Sequence, residues 1–418
     1  LVERGLAYPC FCTEEELDKV RAKQEEDKVL TGYYGEYATC RNLSYEEVEA
    51  NIKAGKPYVL RLRSQGSPDK EITFVDAIKG EIKLPENIHD IVLLKKDGIP
   101  TYHFAHAIDD HLMRTTTVVR GGEWLASAPI HYELFHLLGF KMPAYAHTAH
   151  LMKFDEETGG KRKLSKRKDP ELSLDYYRKD GYHPYTMKVY LLTLLNSNFE
   201  EWHEKFPDKD INEFPFSVEK MNQSGALFDK DKLHNICKNE LSKLSEEELY
   251  DFLYDWAKEN EPENVEKWFG DREKMLQILR LYMGVGAKRR RKDLMYAKQI
   301  FELISYFFDG ESAEEMDEFK LDEDMVSKIL KSYLAKYDHN DDNSVWFNKL
   351  KEIADEHGFA SDMKAYKANP ENFKGNVSDI AEAVRIAVTG RANTPDLWTI
   401  VHIMGEEQMT ERIKKHIK

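Results

Sequence analysis

The sequence predicts an α/β half followed by an all-α half, and three observations carry that reading. The run TTTVVR (Thr115 to Arg120) feeds Gly121 and Gly122 and then a helical segment from His131 to Leu138; strand, glycine turn and helix in succession is the α/β pattern. Upstream, YVLRLR (Tyr58 to Arg63) alternates apolar and basic residues, as a strand with one solvated face does. Beyond about Leu244 strand signals fade, and Leu249, Phe252, Leu253 and Trp256 recur at helical spacing behind the capping residues Ser245 and Glu248.

In chain order, the sequence enters in what reads as mid-helix. Thr13 with Glu16 and Ser44 with Glu47 are capping-box pairs that start two helices, the second stopped by Gly55 and Pro57. With the YVLRLR strand they make residues 1–90 a small α+β module. From Asp90 the texture changes to short apolar runs, IVLL, TYHFAHAI and TTTVVR, separated by the Asp97-Gly98 turn and the acidic pair Asp109 and Asp110. Ligands in α/β sheets sit beyond the carboxyl ends of the strands, where Arg120 and Trp124 fall. After a further apolar run (His150 to Phe154) and the Gly159-Gly160 turn comes KRKLSKRK, Lys161 to Lys168, basic at every position except Leu164 and Ser165. Taken alone, it reads as a solvated loop or an unspecific phosphate patch. From Leu244 to Lys418 the periodicity predicts two successive helical bundles. The densest cationic run there is Lys288 to Lys292. On a helix five consecutive charges cannot share one face, so two or three of them are expected to meet nucleic-acid phosphates and the rest to solvate.

At 418 residues the chain is too long for one growing core, so several domains are expected. Hydrophobic residues at 41% and charged residues at 33% exclude a disordered chain. No apolar run approaches the roughly 20 residues that cross a bilayer, and LVERGLAYPCFC lacks the pattern of a secretory signal. A cytoplasmic protein without membrane contact is expected. Of four cysteines, Cys10, Cys12 and Cys40 fall within the first 40 residues, which points to a metal site more than a disulfide. The net charge of -15 argues against indiscriminate binding to phosphate backbones but leaves room for a local basic surface that binds RNA.

Lys163-Leu164-Ser165-Lys166-Arg167 resembles the KMSKS signature of class I aminoacyl-tRNA synthetases, in the KLSKR form of the glutamyl enzymes. A mobile loop with lysines flanking a small residue can bring ammonium groups to a triphosphate while the backbone stays close. Charge accumulates on the pyrophosphate leaving group, so cations supplied there speed adenylate formation. Tyr102, Asp109, Asp110, His111, Arg120, Glu123, Trp124 and Pro129 stand in the order and spacing of the glutamyl-tRNA synthetase segment TYHxAxxxDDHLMxxTxVxRxxEWLxSxPIH. The stretch Arg385 to Glu407, RIAVTGRANTPDLWTIVHIMGEE, is similar to the anticodon-binding end of those enzymes.

The resemblance implies a partial Rossmann-type α/β catalytic domain with an inserted α+β acceptor-stem domain, then a stem-contact region and all-α anticodon-binding bundles. The boundaries expected are 1–90 for the insertion, 91–162 for the second half of the Rossmann domain, 163–244 for the KLSKR loop and stem-contact region, and 245–325 and 326–418 for two helical domains. The implied activity is ATP-dependent activation of glutamate and its transfer to the 3′ end of tRNA(Glu), with Mg²⁺ accompanying ATP, in a monomer. Lys163, Ser165, Lys166 and Arg167 are the implied catalytic loop; Trp124, Leu164 and Lys166 would meet ATP. Tyr102, His106 and Arg120 would bind glutamate, Arg120 through a bidentate contact to the γ-carboxylate. His106 stands where many relatives carry asparagine, which alters the contact to substrate. Arg289 and Arg290 from the basic run, with Arg385, Thr394, Pro395 and Leu397, are the expected tRNA contacts. Cys10, Cys12 and Cys40 resemble a structural zinc module; with Asn42 in place of a histidine ligand, Tyr37 is the expected fourth ligand. A His-x-Gly-His signature and its glycine-rich strand-to-helix entry do not occur in the sequence. The expectation is that this half of the nucleotide fold precedes Leu1 and that the chain alone does not make adenylate efficiently. The alternatives are a non-catalytic tRNA-binding fragment or paralogue, and a glutamyl transferase acting on a modified tRNA base; Arg385 to Glu407 weighs against the second.

Overall fold

The computed structural model describes residues 1–155, 157–223, 225–308 and 316–418. They gather into two compact units, one of residues 1–164 and 192–228, the other of residues 165–191 and 229–418.

The first unit opens on a turn in which Gly5, at φ 69°, donates to the Val2 carbonyl while Leu6 N–H reaches the Leu1 carbonyl. This is the bonding that closes a helix C-terminus. Strand β1 (Ala7–Cys10) and helices α1 (Glu14–Glu26) and α2 (Tyr45–Lys53) follow. Both helices begin where the capping signals predict. The Thr13 and Ser44 hydroxyls accept from the backbone N–H of Glu16 and Glu47, whose carboxylates accept from the two cap N–H groups. Each such cap stabilises its helix by about 1 kcal/mol. The YVLRLR run supplies β2 (Val59–Leu62), which pairs antiparallel with β1.

Strand β3 (Glu71–Asp76) turns into its antiparallel partner β4 (Gly80–Pro85). Strand β5 (Val92–Leu94) completes the sheet of β1 and β2. TYHFAHAI, one of the short apolar runs, is helix α3 (Tyr102–Leu112). Its side chains do not alternate: Tyr102, His106 and Asp110 recur every fourth residue, and Ala107 turns into a core of Leu62, Leu93, Leu134 and Phe135. Strand β6 (Thr117–Gly121) feeds a short 3₁₀ turn (Gly122–Ser127) and helix α4 (Ala128–Leu138), the strand, turn and helix that the sequence predicts. With β7 (Ala144–Thr148) it completes a four-stranded sheet of order β4-β3-β7-β6, in which β3, β7 and β6 run parallel. Strands β8 (Leu151–Phe154) and β9 (Lys161–Lys163) form a hairpin, and Ala226–Leu227 runs parallel to β8.

The described residues of the second unit are helical and contain no strand. The Ser245–Glu248 capping box starts the helix Glu246–Asn260, which buries Leu249, Leu253 and Trp256 as its periodicity predicts. From Leu241 to Ile413 the buried side chains join in one continuous apolar cluster. Lys288 to Lys292 lie outside any helix, in the exposed connection between Arg272–Met283 and Ala297–Ile304, so the helix-face argument for them is corrected. Gly284, at φ 66°, ends the preceding helix, and Arg291 N–H turns back to the Met283 carbonyl. A loop frees all five cations from the one-face limit. Among the described residues no helix is long and apolar enough to cross a membrane.

Candidate active site

Three parallel strands end together. Asp76 is the last residue of β3, Arg120 is near the end of β6 and His147 near the end of β7, with Arg120 and His147 directly paired across the sheet. Arg120 Nε donates to His147 Nε2 at 3.0 Å, its Nη1 lies 3.1 Å from His131 Nδ1 on α4, and its Nη2 reaches the Trp124 carbonyl at 3.4 Å. The guanidinium carbon sits 4.5 Å from the Tyr145 ring centroid. A guanidinium only donates, so both imidazole nitrogens facing it carry lone pairs. His147 must then hold its proton on Nδ1, 2.6 Å from Asp76 Oδ2. By the same logic His131 holds its proton on Nε2, 2.9 Å from His103 Nδ1.

The electrostatics agree with that tautomer assignment. Burial, with Arg120 and the neighbouring imidazoles, pushes the His131 pKa down to about 2. Burial also lowers His103, His106 and His147. Burial opposes the charge on Asp76, but hydrogen bonds from His147 and from the N–H groups of Lys79 and Ile78 outweigh it and keep the carboxyl below its usual range. The imidazoles around Arg120 are therefore neutral, and the guanidinium carries the local positive charge.

The structure brings the four predicted pocket residues together. Tyr102 is 48% exposed, stacks on His106 with planes 8° apart, and lies 4.4 Å from the Trp124 ring. His106 is buried; its Nε2 is 2.7 Å from the Tyr145 hydroxyl and its Nδ1 is 2.6 Å from Asp110 Oδ2. The imidazole that replaces asparagine thus has both nitrogens occupied within the protein, and its ring forms the floor beneath Tyr102.

The KLSKR segment begins on β9, where Lys163 Nζ is 3.8 Å from Glu123 Oε1. Leu164 is 2% exposed and its N–H is tied to the Leu151 carbonyl, so its side chain packs into the interior. Ser165 is followed by a turn through Lys166, Arg167 and Lys168, all three exposed.

In the second unit a cleft of about 740 Å³ is lined by Arg280, Arg289, Arg291, Pro395, Thr399 and His402 among others. It joins the basic connection to the segment that the sequence marks for anticodon contact, uniting Arg289 with Pro395. Arg290 is exposed beside it in sequence, and Thr394 donates to the Pro395 carbonyl. Leu397 is 3% exposed, and its side chain belongs to the helical core. Arg385 is partly buried and donates to the Ala392 carbonyl, bracing the loop from inside.

Near the start of the chain the sulfurs of Cys10, Cys12 and Cys40 lie within 4.8 Å of one another. Tyr37 is not their neighbour: its hydroxyl bonds Asp27 at 3.0 Å. The adjacent phenol is Tyr33, whose oxygen is 3.4 Å from Cys10 Sγ, 3.3 Å from Cys12 Sγ and 3.0 Å from the Cys40 N–H. Sequence proximity to Cys40 pointed to Tyr37; only the path of the backbone through Gly32 and Gly35 selects Tyr33. Contacts among the three sulfurs hold the Cys10 thiol well below its ordinary pKa and push Cys12 well above it, so the cluster as it stands favours a single thiolate, on Cys10.

Two family models match in succession: "tRNA synthetases class I (E and Q), catalytic domain" over residues 1–235 and "Anticodon binding domain" over residues 248–417. The glutamate–tRNA ligase of Acetivibrio thermocellus is 53% identical over 417 residues, covering 99% of this chain and 76% of that protein. The chain belongs to the glutamate–tRNA ligase family. The ligase of Clostridium perfringens strain 13 is 47% identical, over 99% of this chain and 76% of its own length. Among solved structures, the glutamate–tRNA ligase of Elizabethkingia meningosepticum in complex with its amino acid superposes with a TM-score of 0.74 at 26% identity, covering 99% of this chain and 80% of that one. That of Elizabethkingia anophelis gives 0.73 at 26%, covering 100% and 81%. The α/β catalytic region followed by helical anticodon-binding region is the architecture of this ligase family. The alternative of a non-catalytic tRNA-binding paralogue is not favoured by relatives that match along the whole chain and are named as ligases.

Proposed function

We propose that the protein is a cytoplasmic glutamate–tRNA ligase that joins glutamate to ATP's α-phosphate with release of pyrophosphate, then passes the glutamyl group to the 3′ end of tRNA(Glu). The observation that carries the amino-acid assignment is a single guanidinium, Arg120, set among neutral imidazoles at the carboxyl ends of parallel strands. Such a site favours a carboxylate over the isosteric amide, because the amide offers no charge and its N–H₂ would face the guanidinium N–H groups, donor against donor. Tyr102 and His106 wall this pocket and Trp124 borders it.

The exposed ammonium and guanidinium groups of Lys166 and Arg167, with Lys163, serve the phosphates of ATP, which carries Mg²⁺. The arginine-lined cleft at Arg289 and Pro395 serves the single-stranded anticodon loop, where bases are open to stacking and edge contacts. The three thiols make a soft donor set that suits zinc and not Mg²⁺, with the harder oxygen of Tyr33 beside them. Zinc there would be structural, closing the loop between β1 and the Cys40 turn.

The test is Arg120→Ala. Truncating one partner of a desolvated charge pair costs about 2 to 5 kcal/mol, so kcat/KM for glutamate in tRNA charging should fall by roughly 30-fold or more. A rate near that of the unmodified protein rejects the pocket.

A further inference from the structure

We propose that Asp76 and His147 are positioning residues for Arg120, fixing which N–H groups it presents to the side-chain carboxylate of the amino acid; this rests on reading Arg120 as the contact to that carboxylate. The three groups lie in series along neighbouring parallel strands, Asp76 to His147 at 2.6 Å and His147 to Arg120 at 3.0 Å. Asp76 is 1% exposed and His147 is fully buried, so neither meets substrate directly. Asp76 is itself held: Oδ1 accepts from the Ile78 and Lys79 N–H groups, and Oδ2 also takes the His147 backbone N–H. The carboxylate therefore has one rotamer, the imidazole one tautomer and the guanidinium one roll angle.

A guanidinium has five N–H donors. Here the contacts to His147, His131 and the Trp124 carbonyl engage three of them, one on each nitrogen. One N–H remains on each terminal nitrogen, the pair that grips a carboxylate bidentately. Without the His147 contact the group can roll about its own axis and offer Nε instead, losing that register.

Asp76→Asn tests the relay with minimal change of shape. An amide N–H₂ facing Nδ1 moves the His147 proton to Nε2, where it confronts the Arg120 Nε–H, donor against donor, as happens when a triad aspartate becomes asparagine. In tRNA charging, we expect glutamate KM to rise about tenfold while kcat and ATP KM stay within about twofold, the pattern of lost ground-state and transition-state binding alike. In an Arg120→Ala background, Asp76→Asn should change glutamate kcat/KM by less than about twofold, because partners acting through one group are not additive.

Equal losses in both backgrounds would mean a general structural effect and overturn the proposal. So would an unchanged glutamate KM in Asp76→Asn when Arg120→Ala alone is impaired. An unimpaired Arg120→Ala instead removes the underlying reading of Arg120. Nitrogen-15 NMR of the imidazoles in the unsubstituted protein gives a check that needs no variant to fold: His147 should be neutral and protonated on Nδ1 at pH 7, and a proton on Nε2 overturns the relay.

Discussion

The N–H of Ser165 donates to Asp169 Oδ2 at 2.8 Å, and the Asp169 N–H returns to the Ser165 carbonyl at 2.9 Å. Asp169 is 1% exposed, so the turn carrying Lys166 and Arg167 is pinned at its base by a buried carboxylate. The KLSKR segment is thus a strand end and a clamped turn, with exposed cations at its tip.

Removing the clamp should be felt in catalysis. Asp169→Ala leaves the Ser165 N–H without this acceptor, a loss on the order of 1 to 3 kcal/mol. If that loss falls on the transition state, kcat for tRNA charging drops by roughly 10-fold or more, with glutamate KM little changed. A folded variant with undiminished kcat would show that the turn keeps its form unaided.

Charge at the tip can be separated from charge nearby. Lys166 lies inside the KLSKR core and Lys168 just beyond it, both exposed. Lys166→Ala should lower kcat while leaving glutamate KM and tRNA affinity nearly unchanged, because its contact is made chiefly as pyrophosphate departs. Lys168→Ala should do far less. Similar small effects at both positions, with a shared loss of tRNA binding, would reduce the segment to a basic patch.

The thiol cluster makes a third prediction. Tyr33→Phe deletes the oxygen beside Cys10 and Cys12, whereas Tyr37→Phe deletes only a surface bond to Asp27. After dialysis against a chelator, the Tyr33 variant should retain less zinc than the unsubstituted protein and melt at lower temperature; the Tyr37 variant should match it. Equal zinc in both variants would leave the phenol no part in binding. Absence of zinc from the unsubstituted protein would remove the site.

Local signals were the legible ones. The capping boxes at Thr13, Ser44 and Ser245 are written within four residues of sequence and reappear as hydrogen bonds. The β6 strand, glycine turn and helix were readable for the same reason, and they place Arg120. TYHFAHAI stayed unassigned because eight residues with few polar positions satisfy either period until their partners are known. His147 and Asp76 carry no local mark, since strand pairing across a crossover brings them to Arg120 from 27 and 44 residues away in sequence. Tyr33 against Tyr37 was a choice between two phenols in one loop, decided by backbone direction alone.

Acid should unfold the first unit early. His103, His106, His131 and His147 all have pKa values lowered mainly by burial, His131 to about 2. In the unfolded chain each returns to about 6.5 and takes up a proton there. Below that pH the unfolded state binds more protons than the folded one, so stability that is intact above about 6.5 is lost as pH falls, by up to about 1.4 kcal/mol per pH unit for each such histidine. Aspartate and glutamate side chains mostly titrate lower, which leaves pH 6.5 to 5.5 as the informative window. Denaturant unfolding at pH 7.5, 6.5 and 5.5 should show a small loss over the first interval and one about three times larger over the second. His131→Gln keeps an acceptor available to Arg120 and removes one titrating ring, so its loss over the second interval should be smaller by close to one proton's worth. An identical slope in that variant would mean His131 is protonated in the folded protein, and the neutral surroundings of Arg120 would have to be abandoned.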